Sequence, residues 1–229
     1  MEDVEFFLMK AILYVMNRLA CLLVLLVAMM LAGCSNHPPS AAQFMNVNKN
    51  GGSLVLGGSA FVGDVHRGTY RFESDYFDAE DYGALDISLL MRFDHFIIGA
   101  SLENISISGI AGFRSQYVGL QGWGLFATNT VDRDAVPFSG GLMLIEEYSV
   151  NDDFRVGLSE HISRNAYNVD ENLGGIGFYS TGFYDEFGVG TYLTYKGFSL
   201  EFRYGREIDE PRNRFYFMIN YAFMSGKSS

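Results

Sequence analysis

The sequence predicts an all-β protein, an antiparallel up-and-down β-barrel of about ten strands over residues 52–223. The prediction rests on a repeat of two and on what fills the alternate face. Near the C-terminus Phe215, Phe217, Ile219, Tyr221 and Phe223 alternate with Arg214, Tyr216, Met218, Asn220 and Ala222. Large apolar groups therefore share one side of an extended segment, and no helical spacing fits them. The alternate positions carry Gly, Ser and Thr with scattered charges, as in Gly157, Ser159 and His161 or Gly99, Ser101 and Glu103. A water-facing sheet would carry lysine there, yet beyond residue 33 lysine occurs only at Lys49, Lys196 and Lys227. Small residues and paired charges suit the crowded interior of a narrow barrel, so the apolar side reads as the outside.

Taken in order, the folded part begins near Gly52 with a strand over 52–64. An acidic connection follows, with Asp64, Glu73, Asp75, Asp78, Glu80 and Asp81 among His66, Arg67 and Arg71. Strands 82–93 and 96–104 form a hairpin. A turn at Asp94-His95 sets Phe93 opposite Phe96, Met91 opposite Ile98 and Ile87 opposite Leu102, so that apolar meets apolar. The same register sets Asp86 opposite Glu103, which calls for a cation such as Arg155 or Arg203 beside them. Strands 112–126, 137–148 and 154–163 come next. Pro137 and Pro211 stand at the ends of apolar runs, where a sheet tolerates a missing N–H. Strands 173–183 and 187–195 are the least regular, because Gly174, Gly175, Gly177, Gly182, Gly188 and Gly190 blur the pattern, and eight strands is the alternative count. A turn at Lys196-Gly197 opens strand 198–206, pairing Tyr195 with Phe198, Leu193 with Leu200 and Val189 with Tyr204, while Gly190 faces Arg203. Strand 213–223 completes the set. Most of these lengths are close to the ~9–11 residues that a tilted strand needs to cross hydrocarbon. The connections at 127–136 and 164–172 then fall at the end where the chain enters, while 149–153 and 184–186 are short at the other end, the reverse of a porin-like topology.

Composition excludes some functions. Lys and Arg number 16 against 27 Asp and Glu, a formal charge of −11, which argues against nucleic acid, whose phosphates are held by cations. Residues 16–34, Met-Asn-Arg-Leu-Ala-Cys-Leu-Leu-Val-Leu-Leu-Val-Ala-Met-Met-Leu-Ala-Gly-Cys, join a cationic start to an apolar run from Leu19 to Met30 and then Leu31-Ala32-Gly33-Cys34. The run fits the ~7–15 residues of a signal h-region and is short of the ~20 of a spanning helix. It resembles a bacterial lipoprotein signal peptide. In that family the peptidase cuts before the cysteine, so the resemblance implies that Cys34 becomes a lipid-modified N-terminus and that Ser35 is compatible with sorting to the outer membrane. Glu2, Asp3 and Glu5 are acidic where a signal should be basic, so translation is expected to start at Met16. Cys21 would leave with the leader, and the mature chain would hold one cysteine and no internal disulfide. The expected organisation is a signal peptide over 1–33, a tether over 34–51 with Pro38 and Pro39, the barrel over 52–223 and a polar tail over 224–229.

The chain also resembles small outer-membrane barrels by pattern over roughly 52–223 and in a final strand closing on the aromatic Phe223. In that family a terminal aromatic is read by the barrel assembly machinery. Here Met224 to Ser229 follow it, and the glycine usual earlier in the signal is missing. Phe93, Phe96, Tyr195 and Phe198 beside tight turns are placed as an interfacial girdle would be.

Few constellations carry chemistry. His161, Ser163 and Glu171 hold the residue types of a nucleophile, base and orienting acid, and Glu160-His161-Ile162-Ser163-Arg164-Asn165-Ala166 resembles the His-x-Ser-Asn stretch of outer-membrane lipid A deacylases. Arg164 intervenes before Asn165, and a long segment follows where that family has only its closing strand. The ordinary reading is an inward His161 satisfied by Arg155 or Glu103. The acidic 64–81 connection lacks the spacing of a calcium loop, and His37, His66, His95 and His161 give no zinc spacing. Gly174-Gly175-Ile176-Gly177 precedes no helix, which excludes a phosphate loop. Trp123 reads as an anchor or a ligand platform. No catalytic residue, metal or cofactor is predicted. The leading expectation is a lipid-anchored outer-membrane β-barrel with a non-enzymatic structural or surface-interaction role, whose partners are outer-membrane lipid and the assembly machinery. The alternatives are a soluble lipid-tethered barrel binding an apolar ligand and, third, a lipid-modifying hydrolase.

Overall fold

The computed structural model describes residues 37–63, 68–69, 82–103, 106–126, 138–173 and 176–225. One sheet holds β1 (Gly52–Gly63), β2 (Gly68–Thr69), β3 (Tyr82–Phe93), β4 (Phe96–Glu103), β5 (Ser106–Arg114), β6 (Val118–Phe126), β7 (Phe138–Ser149), β8 (Phe154–Leu173), β9 (Ile176–Tyr195), β10 (Phe198–Glu207) and β11 (Asn213–Ser225). All but β2 pair antiparallel with their neighbours in sequence, and β1 also pairs with β11, so ten strands close into an up-and-down barrel. β2 stands outside this ring, parallel to β8 at Val169 and Asp170. Following hydrogen-bonded partners from Gly52 through Met91, Ile98, Ala111 and Gly122, and on round the wall to Asn213, leads back to β1 beside Gly63, not to Gly52. That stagger is what tilts the strands of a closed barrel by about 35–45°.

Both hairpins registered from the sequence form as expected. Phe93 faces Phe96 and Asp86 faces Glu103, while Tyr195 faces Phe198 and Gly190 faces Arg203. Asp94 and Lys196 take the positive φ that a tight hairpin turn demands, 54° and 49°. Elsewhere two boundaries differ in opposite directions. The single strand expected over 112–126 is two, β5 and β6, joined by a turn at 115–117. The three expected over 154–163, 173–183 and 187–195 are two, β8 and β9, of 20 residues each. The total of ten survives, and the topology becomes regular. Turns at 94–95, 115–117, 150–153 and 196–197 gather at the end where the chain enters β1, here the near end. The connections at 64–81 and 127–137 both lie at the far end. Past Arg164 and ahead of Glu186, β8 and β9 pair only with each other and with β2, so their hairpin extends beyond the far rim.

The segment expected as a tether differs most. Residues 37–47 lie inside the barrel: His37 is 8% exposed, and Ala41, Ala42, Phe44, Met45 and Val47 are fully buried. They include a five-residue helix, α1 (Ala41–Met45), with Ser40 as its N-cap. Cys34 and the signal peptide lie outside the described residues, as do the polar tail beyond Ser225 and nearly all of the acidic 64–81 connection.

Candidate functional site

The wall is polarised opposite to a water-soluble barrel. Its outward positions hold exposed apolar groups all the way round, among them Leu54, Leu89, Ile98, Ile107, Leu120, Leu142, Leu158, Phe187, Phe202 and Phe217. Its inward positions hold buried Ser53, Ser88, Glu103, Gln121, Glu147, His161, Glu186, Glu201, Arg203, Arg214 and Asn220. The informative departures from ordinary burial, buried charge and an exposed apolar surface, therefore coincide on opposite sides of one sheet. At the near end Phe93, Phe96, Phe113, Tyr117, Tyr148, Tyr195, Phe198 and Phe223 are all exposed. Phe96 meets Phe113 edge-on at 5.9 Å. This is the aromatic belt that the residues beside the turns predicted.

The lumen is occupied by the chain's own residues 37–47, held at three levels. Uppermost, the His37 backbone N–H donates to Glu103 Oε2 at 3.3 Å, and its ring reaches Glu103 Oε1 at 3.2 Å and Ser59 Oγ. Arg203 donates to the carbonyls of Pro38 and Pro39 at 2.7 and 2.6 Å and pairs with Glu201. In the middle, Glu201 accepts from Ser40 Oγ at 2.8 Å and from the Ala41 and Ala42 N–H groups at 3.3 and 3.4 Å. A wall carboxylate thus meets the unpaired donors of the first turn of α1. Below, Phe44, Met45 and Val47 pack with Leu90, Ile97, Ile110, Met143, Ile145 and Tyr192, with Trp123 against this cluster. Arginines receive the last carbonyls: Arg114 donates to Val47 O at 2.8 Å, Arg92 to the same oxygen at 3.4 Å and Arg155 to Met45 O at 3.5 Å. The segment leaves at the near end, where Lys49 lies 3.1 Å from Asp94 and holds that carboxyl below the usual carboxylate range.

The wall is cut to fit what it holds. A Cβ on Gly119 would lie 2.6 Å from Met45 Sδ, and one on Gly188 would lie 2.1 Å from the His161 ring. Above the segment, Glu186 accepts from Tyr216 Oη at 2.8 Å and from Arg214 Nη1 at 3.3 Å, with His161 Nε2 at 3.1 Å. Arg214 also reaches Glu207 at 3.2 Å and stacks 3.9 Å over the Tyr184 ring. Every charge here is shared among several partners, which is what burial demands.

The expected site residues fall as follows. His161 points inward, but its partner is Glu186 rather than Arg155 or Glu103. Ser163 also faces the lumen, and the Glu171 side chain lies outside the described residues. The group beside the Asp86–Glu103 pair is His37, while Arg203 is engaged by Glu201 and by the carbonyls of Pro38 and Pro39, and Arg155 by Glu147 and Met45. Trp123 anchors the lumenal cluster. An apolar hollow of about 880 Å³ exists, but it opens on the outside of the wall between Leu89, Met91, Ile98, Gly109, Ala111 and Leu142. The residues that sequence reasoning passed over are those of α1. Their signal was present: Ser40-Ala41-Ala42-Gln43 has the spacing of a helix capping box ahead of Phe44 and Met45.

No family model and no curated protein matches the chain. Among solved structures it is similar to neisserial surface protein A, at 13% identity and a TM-score of 0.41 over 74% of this chain and 95% of that one. It is also similar to Ail, the attachment invasion locus protein of Yersinia pestis, at 11% identity and a TM-score of 0.36 over 76% of this chain and 99% of the other. The N-terminal barrel domain of Pseudomonas aeruginosa OprF follows at 9% identity and 0.31, over 75% and 99%.

Proposed function

We propose that the chain spans the bacterial outer membrane as a closed barrel filled by its own N-terminal segment, carries a lipid on Cys34, and serves a structural or adhesive role at its far end rather than an enzymatic one. The observation that carries the proposal is the outer surface. A ring of exposed Leu, Ile, Val and Phe backed by buried ion pairs is the arrangement that hydrocarbon stabilises and water does not. Outer-membrane lipid is then the primary partner, and Phe223, outward on the closing strand, is the residue offered to the assembly machinery. The extended β8–β9 hairpin gives the far end a surface to present.

The alternatives lose their footing in the geometry. An apolar ligand would find the lumen filled by residues 37–47, and the apolar hollow faces the side where lipid would lie. A lipid-cleaving centre needs its nucleophile on that same side, whereas His161 and Ser163 are behind the wall. Migration of the purified full-length protein in detergent gels tests the proposal. The expected result is a folded band that shifts on boiling, from protein that requires detergent throughout. A chain that stays soluble after detergent removal and shows no shift contradicts it.

A further inference from the structure

We infer that the chain ahead of His37 leaves the barrel through its far end, so that a lipid on Cys34 is delivered to the membrane leaflet on that side and not to the side where the chain enters β1. The inference adds a direction to the lipid-anchor reading and, for the lipid itself, rests on that reading.

The path is fixed by contacts at both ends of the lumenal segment. Its lower part is tied to the near end, since Val47 O is held by Arg92 and Arg114 beside the 94–95 and 115–117 turns, and Lys49 pairs with Asp94 in one of those turns. Its upper part sits well along the wall. His37 contacts Ser59, and it contacts Glu103, the last residue of β4 before the far end. Tyr216, three residues from the far end of β11, meets the His37 ring at 5.9 Å. From Gly52 to Ser59 a strand advances roughly 23 Å, or about 17 Å of barrel axis once tilted. Cys34 is three residues from His37, and three extended residues span at most about 11 Å. The near-end interface is out of its reach. Gly63, at the far rim, stands only about 10 Å of axis beyond Ser59 by the same measure, within reach of that tether.

Closing ten strands around a segment joined to β1 leaves no lateral exit through the hydrogen-bonded wall. A lipid fixed to Cys34 must therefore pass over the far rim to reach hydrocarbon.

Single-cysteine reporters test this on the full-length protein in membranes. Asn36→Cys reports the segment, Asp209→Cys the far end and Asp152→Cys the near end, each probed with a membrane-impermeant maleimide before and after permeabilisation. Asn36→Cys is expected to react from the same side as Asp209→Cys and from the side opposite to Asp152→Cys. Reaction together with Asp152→Cys, or none until the barrel is denatured, overturns the inference. Mass spectrometry of the N-terminal peptide reads the lipid separately. An unmodified Cys34 would remove the anchor reading and leave the path standing, whereas an acylated Cys34 with near-side labelling would do the opposite.

Discussion

Leu142 separates the two surroundings a barrel wall can face. It lies outward and 57% exposed at mid-height, between Gly122 of β6 and Ile162 of β8. On a water-facing surface Leu142→Arg would change stability by no more than about 0.5 kcal/mol, whereas at the middle of a bilayer it costs about 2–4 kcal/mol. Urea unfolding from phospholipid vesicles is expected to show the larger loss. Inside, Gly119 reports the fit of the lumenal segment. Gly119→Leu is expected to cost about 1–3 kcal/mol by overpacking against Met45, and adding Met45→Ala should recover most of it. A double mutant no more stable than Gly119→Leu alone would mean that Met45 is not what the glycine accommodates. Residues such as these show why the lumen was only partly legible in the sequence. Phe44 and Met45 follow two prolines in a polar stretch, and the identity of what packs on them is set by wall positions distant in sequence. The ion pairs were foreseen as a class, from small and charged residues on one face. Their members were not, because His37 came from a segment assigned elsewhere.

At the scale of elements, alternation and turn chemistry placed the strands wherever the turn announces itself. Asp94-His95 and Lys196-Gly197 did so, and their registers follow. The β5–β6 turn carries no glycine, proline, asparagine or aspartate. It is held instead by Ser115, whose Oγ accepts from Val118 N and donates to Val118 O, both at 3.0 Å, and the sequence runs through it as one strand. The opposite error arose at Gly188, which reads as a break but clears space for the His161 ring inside a continuous β9. The two errors cancelled in the count and explain the inverted loop lengths expected from the sequence. β8 and β9 past the far rim pair only with one another and β2. Replacing 168–181 with a short turn is therefore expected to leave the heat-dependent gel shift and the urea midpoint unchanged. Loss of the folded band would place that hairpin within the stabilising wall.

Across the whole molecule, the usual arrangement of a globular domain is reversed. Apolar side chains face outward, charged groups are satisfied within, and the centre is filled by a stretch of the chain that enters before the first strand. The lumenal segment supplies the apolar core a soluble domain would draw from its sheet faces, and it supplies partners for charges that would otherwise be buried alone. Filling the lumen this way leaves no general pore through the described barrel. The most direct test is a cross-link between segment and wall. Ser40 Oγ lies 3.3 Å from Asn220 Nδ2, so Ser40→Cys with Asn220→Cys, treated in native membranes with a short bismaleimide, should yield a linked product of altered mobility on denaturing gels. Neither single variant should give it. Absence of the link in protein that retains its heat-dependent shift would show a folded barrel whose N-terminal segment lies elsewhere.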